Sequence, residues 1–263
     1  MSLFKEIQAD IVTACEVKKY KKTRDKVIKE MLAMNILIPN PVSGPLVPHP
    51  TYAKHLEQVK SNFANYVKNY MKYDNDKTLL FGDSIAAISK DYISDVVDTR
   101  LNWALGGMRA GHMLQLLNDM LPIIQASGFI PKYVVVGTPD GNGLLQHYEI
   151  NIIKQDCIIL LNALRAAFPT AKIILYGLPM TVSDYAMKHF VEYDTNLYEW
   201  ILKDPYSVML PLIKMFVEPN HIMMKADMNC DGVHPSPKGQ VLLGKLIKKA
   251  KTTTPVDKLV NCY

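Results

Sequence analysis

Apolar and polar positions change rhythm several times along the chain. Residues 1–36 interleave Lys, Glu, Met, Ala and Ile without a glycine or proline, which predicts one or two helices. Residues 38–50 then carry five prolines, which excludes a helix or a central strand and predicts an extended connector over the surface. Residues 51–72 return to helical spacing, with Tyr52, Leu56, Val59, Phe63, Tyr66 and Tyr70 on one broad face. From Thr78 the pattern alternates. Short apolar, β-branched runs at 79–81, 101–105, 133–136 and 173–176 read as buried strands, separated by helical segments at 85–97, 112–126 and 144–168. Short buried strands alternating with helices imply a parallel sheet covered on both faces. Between residues 178 and 229 the alternation dissolves into a stretch rich in aromatics and methionine. That stretch reads either as a lid or apolar substrate wall, or as helices completing the core. Ser236-Pro237 then reads as an N-cap and first-turn proline opening a final helix. The expected organisation is an extension over 1–76, holding the connector at 38–50, and an α/β domain over 77–263 with an insertion at about 178–229.

Candidate chemistry sits where these elements meet. Ser84 follows Phe81-Gly82-Asp83 at the point where a buried strand runs into a helix, the carboxyl edge at which open α/β folds bind their ligands. Serine is a poor nucleophile at neutral pH; it needs an imidazole to take its proton and a carboxylate to hold that imidazole. Asp231 and His234 stand three residues apart around Gly232, close enough for one loop to present both. Gly-Asp-Ser alone also makes an ordinary turn, so the weight lies in the combination.

At these residues the chain resembles the SGNH (GDSL) hydrolase family of esterases and lipases. The family's first block is Gly82-Asp83-Ser84, the segment from Asn102 to Gly107 is similar to the next block, and the last, Asp-x-x-His-Pro, is Asp231 to Pro235. The resemblance spans roughly residues 77–250 in the right order. It implies a three-layer α/β/α sandwich with a mostly parallel, flavodoxin-like sheet, here carrying a helical N-terminal extension. It further implies Ser84 as nucleophile, His234 as base, Asp231 as its orienter, and the Ser84 and Gly107 amides as oxyanion donors. The third block, Gly-x-Asn-Asp, departs: Gly137-Thr138-Pro139-Asp140 puts proline where the family has its remaining oxyanion donor. Proline has neither an N–H nor a side-chain donor. Asn142, three residues on and carried by a flexible Asp-Gly step that lets it swing into the role, is the candidate replacement. Two functional classes follow: a serine esterase acting through an acyl-enzyme, or a binding or scaffold protein that keeps the sheet without the activity. The expected partner of the esterase is a lipid, carbohydrate or small-molecule ester, with no cofactor.

Composition narrows the picture little further. The 263 residues are 49% hydrophobic and 21% charged, the balance of a water-soluble globular chain. The start has no basic-then-apolar leader and no apolar run approaches the ~18–20 residues that span a bilayer, so a cytoplasmic chain is expected. The net charge of +5 gathers around Lys18, Lys19, Lys21 and Lys22 and in the tail at Lys245, Lys248, Lys249 and Lys251. In the tail, Leu243, Leu246, Ile247 and Ala250 fall at helical spacing between the lysines. This predicts a core-facing helix with a solvated basic face, without a nucleic-acid module. Cys15, Cys157, Cys230 and Cys262 have no paired spacing and read as free thiols, with no zinc site among them. Residues 227–232 match the opening half of a calcium loop, but its twelfth position is Lys238 in place of a bidentate Glu. Arg109 and His112 read as surface residues at a helix start, with an anion-holding role for Arg109 as the alternative. His49, His55, His147, His189 and His221 lack ligand spacing and read as structural.

Overall fold

The computed structural model describes residues 46–179, 181, 183–210, 212 and 231–254. The helices expected over 1–36, the first part of the proline-rich connector, residues 213–229 of the aromatic and Met-rich stretch, the start of the calcium-like loop and three of the four cysteines lie outside them.

Among the described residues, four strands form one parallel sheet in the order β1 (Thr78–Gly82), β2 (Tyr133–Gly137), β3 (Lys172–Tyr176), β4 (Ser207–Leu210). All their residues are buried except the partly exposed Lys172, as expected of strands covered on both faces. The crossovers are made by α3 (Ala110–Ser127), α5 (Ile150–Ala167) and α6 (Asp184–Lys203). These pack in a row, α3 on α5 and α5 on α6, while α7 (Pro237–Thr252) lies against β3 and β4. The result is the α/β/α layering of a doubly wound sheet. Ahead of β1, α1 (Tyr52–Asn69) buries Val59, Phe63 and Tyr66. The Phe63 ring meets Trp103 and Phe129 edge-on, at 5.7 and 5.3 Å, within the same apolar core as the strands.

Three sequence expectations are corrected. Residues 101–105 are not a strand. Thr99–Leu101 is a 3₁₀ turn, and beyond it the chain follows β1 through one bridge, Leu80 to Asn102, with Trp103 N–H donating to Leu80 O at 2.9 Å and Leu105 N–H to Gly82 O at 3.2 Å. The Asn102 side chain accepts from Ala104 N–H and donates to Ala86 O, so local side-chain bonds displace a regular ladder. The helix expected over 85–97 stops early. α2 (Ser84–Ile88) ends where Ser89 Oγ donates back to Ile85 O at 2.7 Å, and turns carry the buried Ile93, Val96 and Val97 instead. The helix expected over 144–168 is split into α4 (Gly141–Leu145) and α5, because His147 adopts a left-handed φ of 57° between them. The stretch after residue 178 also keeps the alternation for longer than its composition suggests, since α6 and β4 fall within it.

The final helix matches its sequence signals. Ser236 caps it by accepting from Gly239 N–H at 3.2 Å, Pro237 opens it, and Leu243, Leu246, Ile247 and Ala250 are buried. Lys251 departs from the solvated basic face. It is buried, with Nζ donating to Asp76 at 3.0 Å and to Val96 O at 2.6 Å.

Candidate active site

The site is assembled at the carboxyl edge of the sheet. β1 ends at Gly82, which pairs with Gly137 at the end of β2. A Cβ on Gly82 would stand 2.4 Å from that of Ala86, so glycine is what lets the chain turn straight from strand into helix. Asp83 follows, buried, with Oδ1 accepting from Ile85 N–H at 2.9 Å as the cap of α2. Ser84 is thus the first residue of a short helix and is only partly buried.

From the other end of the described chain, the loop before α7 reaches the same point. His234 Nε2 lies 2.8 Å from Ser84 Oγ, and His234 Nδ1 lies 2.6 Å from Asp231 Oδ2. The other Asp231 oxygen accepts from Val233 and His234 N–H at 2.9 and 2.8 Å. An acceptor-only carboxylate at Nδ1 puts a proton on that nitrogen and leaves Nε2 of the neutral ring to accept from the serine hydroxyl. Burial favours the protonated Asp231, but the His234 hydrogen bond, the two backbone amides and the imidazole charge prevail and hold it down at about 2. Burial likewise opposes charge on His234; the hydrogen bond and charge of Asp231, with Asp83 adding to them, raise it above its ordinary value. Asp83 behaves in the opposite way. Burial pushes it up to about 7, against the Ile85 amide and the His234 charge.

The loop from Asn102 to Gly107 closes the site on one side. A Cβ on Gly106 would stand 3.6 Å from that of Ser84, and Gly107 has the left-handed φ of 83° that favours glycine. The third-block loop meets it from β2. Thr138 and Asp140 both have positive φ, 43° and 61°, and the Pro139 carbonyl accepts from Cys157 Sγ and Tyr193 Oη. Asn142 sits in the first turn of α4, buried, with Nδ2 donating to Met108 O at 2.9 Å. The mobile carriage expected from the Asp-Gly step is therefore corrected. Gly141 is helical, and Asp140 is clamped by Arg109 Nε and Nη2 at 2.6 and 2.7 Å.

Arg109 and His112 are buried, not at the surface as their position suggested. The Arg109 guanidinium also lies 3.6 Å over the Tyr148 ring and 3.5 Å from Asp156, so it joins loops and is occupied by carboxylates of this chain. His112 Nδ1 accepts from Arg109 N–H at 3.1 Å and its Nε2 donates to Val47 O at 2.8 Å. Two further histidines from ahead of β1 hold the second-block loop: His55 Nε2 on Trp103 O at 3.0 Å, and His49 Nε2 on Gly106 O at 2.9 Å. Sequence spacing gave no sign of either contact, because their partners are carbonyls about fifty residues away. Among the described residues no group of His, Cys, Asp and Glu has the arrangement of a metal site, Cys157 is a buried free thiol, and no helix is long and apolar enough to cross a membrane.

No family model matches the sequence, and no curated protein matches it significantly. Solved structures do match its fold. A Streptococcus pneumonia protein named for platelet activating factor superposes with a TM-score of 0.59 at 16% identity, over 76% of this chain and 94% of that one. A GDSL-like lipase from Bacteroides thetaiotaomicron gives 0.55 at 17% identity, over 76% and 98%. A Bacteroides fragilis protein assigned as an acylhydrolase gives 0.52 at 18% identity, over 73% and 96%. Nearly the whole length of each of these neighbours is matched, and the chain has the fold of the SGNH (GDSL) hydrolases.

Proposed function

We propose that the chain is a serine esterase that cleaves a carboxylic ester of a lipid, carbohydrate or small molecule. The observation that carries this reading is the hydrogen-bonded series Ser84 Oγ, His234 Nε2, His234 Nδ1, Asp231 Oδ2, with contacts of 2.8 and 2.6 Å at its two joints. The lipase and acylhydrolase names of the structural neighbours agree with it in class.

In the proposed cycle His234 Nε2 removes the hydroxyl proton as Ser84 Oγ bonds to the ester carbonyl carbon. The carbonyl π-electrons move onto oxygen. The backbone amides of Ser84 and Gly107 stabilise that oxyanion, and Asp231 stabilises the imidazolium. Collapse of the intermediate breaks the bond to the alcohol, which leaves with the proton from His234. Water then adds to the acyl-enzyme with His234 again as base, and the acid is released. Pro139 contributes no donor. Asn142 holds the Gly107 loop through Met108 O and has a second amide hydrogen to offer.

The test is covalent labelling by a fluorophosphonate together with acid release from a panel of short and long acyl esters. Wild type is expected to be labelled at Ser84 and to release acid, and Ser84→Ala to do neither while keeping its circular dichroism. A well-folded wild type that resists the probe and cleaves no ester would instead fit a binding protein on this fold.

A further inference from the structure

We infer that His49, contributed from the segment ahead of the α/β core, is a positioning residue for the oxyanion hole. The inference rests on the esterase reading with Gly107 as an oxyanion donor. It starts from one planar unit: the carbonyl of Gly106 and the amide N–H of Gly107 belong to the same peptide, and no cis bond occurs in the described chain. In a trans peptide these two groups point in opposite directions, so whatever grips the carbonyl also aims the amide. His49 Nε2 lies 2.9 Å from that carbonyl oxygen.

The protonation of the ring follows from its partners. A carbonyl only accepts, so Nε2 carries the hydrogen and donates it. Nδ1 is then an acceptor, and it faces the Thr51 backbone N–H at 3.4 Å and the Thr51 hydroxyl at 3.3 Å. The ring also lies close against Gly107, since a Cβ there would stand 3.2 Å from His49 Nε2. With φ at +83°, Gly107 has backbone freedom that most residues lack, and its peptide needs an external hold.

The His49 ring is itself fixed. It stands edge-on to the His112 ring at 5.4 Å, and His112 Nε2 donates to Val47 O at 2.8 Å, tying down the backbone two residues before His49. His112 Nδ1 accepts from Arg109 N–H, and Arg109 is paired to Asp140 of the third-block loop. Leu46 completes the seat against α3, with a side-chain carbon 2.7 Å from where a Cβ on Gly111 would lie. The segment ahead of β1 therefore supplies one hydrogen bond to the peptide whose amide the esterase reading assigns to the oxyanion. A donor on the carbonyl also polarises the amide, which strengthens the bond that the amide gives to a developing oxyanion.

The test compares His49→Ala, His49→Phe and His49→Gln with wild type. Gln places an amide donor at the reach of Nε2, whereas Phe keeps the ring and loses the donor. The expected result is a kcat lowered about 10- to 100-fold in His49→Ala and His49→Phe, with KM within about twofold of wild type and kcat largely restored in His49→Gln. Fluorophosphonate labelling of Ser84 should slow by a similar factor, since that adduct also develops an oxyanion. Thermal melts of the three variants check folding. Wild-type kcat in His49→Phe, or equal losses in kcat for Phe and Gln at equal stability, would overturn the inference while leaving the esterase intact. A wild type that neither reacts with the probe nor cleaves esters would overturn the esterase reading and this inference together.

Discussion

His234 and Asp83 carry opposite pressures within one small site, and that sets the expected pH dependence. In the proposed cycle His234 must be neutral to accept the serine proton, and Asp231 holds its pKa above the ordinary ~6.5. Activity should therefore rise with pH through a single step whose midpoint lies above that value. Asp83, near 7 through burial, raises His234 further once it is ionised. Asp83→Asn should move the activity midpoint to lower pH, measured as kcat/KM against pH; an unchanged or higher midpoint would contradict the coupling. The stability consequences have definite signs. The raised His234 contributes stability that is full below its unfolded value and lost as pH rises through its folded one. The depressed Asp231 contributes stability present above its unfolded value of 3.8 and lost as pH falls through about 2. Asp83 follows the raised pattern, so its effect on stability declines between about 4 and 7 as pH rises, and urea midpoints of Asp83→Asn should lose that part of the decline.

Asn142 gives a second prediction at this scale. Its amide is bonded to Met108 O, one residue beyond Gly107, so removing it frees the loop whether or not its second hydrogen reaches the oxyanion. Asn142→Ala should lower kcat by roughly 10²-fold with little change in KM. Pro139→Asn separates the two contributions. A gain in kcat would mean that the hole lacks a side-chain donor, and no gain would mean that Asn142 already serves. Ser84, His234 and Asp231, which the fold brings within hydrogen-bond reach of one another, could be singled out in sequence because the proposed chemistry demands those three types and Ser84 lies at a strand end that apolar runs reveal. The buried state of Asp83 was not legible, since an aspartate in Gly-Asp-Ser reads as a turn residue until the packing around it is known.

At the scale of elements, the second- and third-block loops are joined by the Arg109–Asp140 pair, both buried and bonded through two nitrogens and two oxygens. Cutting one partner leaves an uncompensated charge in the interior. Asp140→Ala is expected to cost about 3–5 kcal/mol of stability, whereas replacing both by apolar residues of similar volume should recover most of it. Urea denaturation of the single and double variants measures this, and an Asp140→Ala within about 1 kcal/mol of wild type would exclude the clamp. The helix boundaries here escaped periodicity for a local reason. His147 leaves the helical region between α4 and α5, although the apolar pattern runs on from Leu144 into the 150s. Residues 101–105 have strand composition, yet Asn102 bonds to its own neighbourhood and permits only one bridge to β1.

At the scale of the molecule, α1, which lies ahead of β1, is part of the core. Phe63 is fully buried against Trp103, whose backbone runs along β1, and against Phe129, which follows α3. Phe63→Ala should cost about 3–5 kcal/mol and lower the melting temperature of the whole domain in one transition. A separate early transition, with the remainder melting as wild type, would show an independent appendage instead. Lys251 acts over a similar distance from the other end, joining α7 to Asp76 just before β1 and to Val96 O.

The sequence by itself determined the sheet class, three of the four described strands, the final helix with its Ser236 cap, and the Ser84, His234 and Asp231 candidates of the proposed triad. Each of these depends on short-range rules: strand and helix periods, capping chemistry, and the proton-transfer partners that a serine requires. Tertiary structure alone decided what surrounds them. Asp83 near 7, the Arg109 clamp, the His49 contact with Gly106 and the burial of Lys251 all depend on groups dozens of residues away in sequence. Burial and opposing charge act through space, and no local pattern of residues encodes which distant backbone carbonyl or carboxylate a side chain will meet once the sheet has formed.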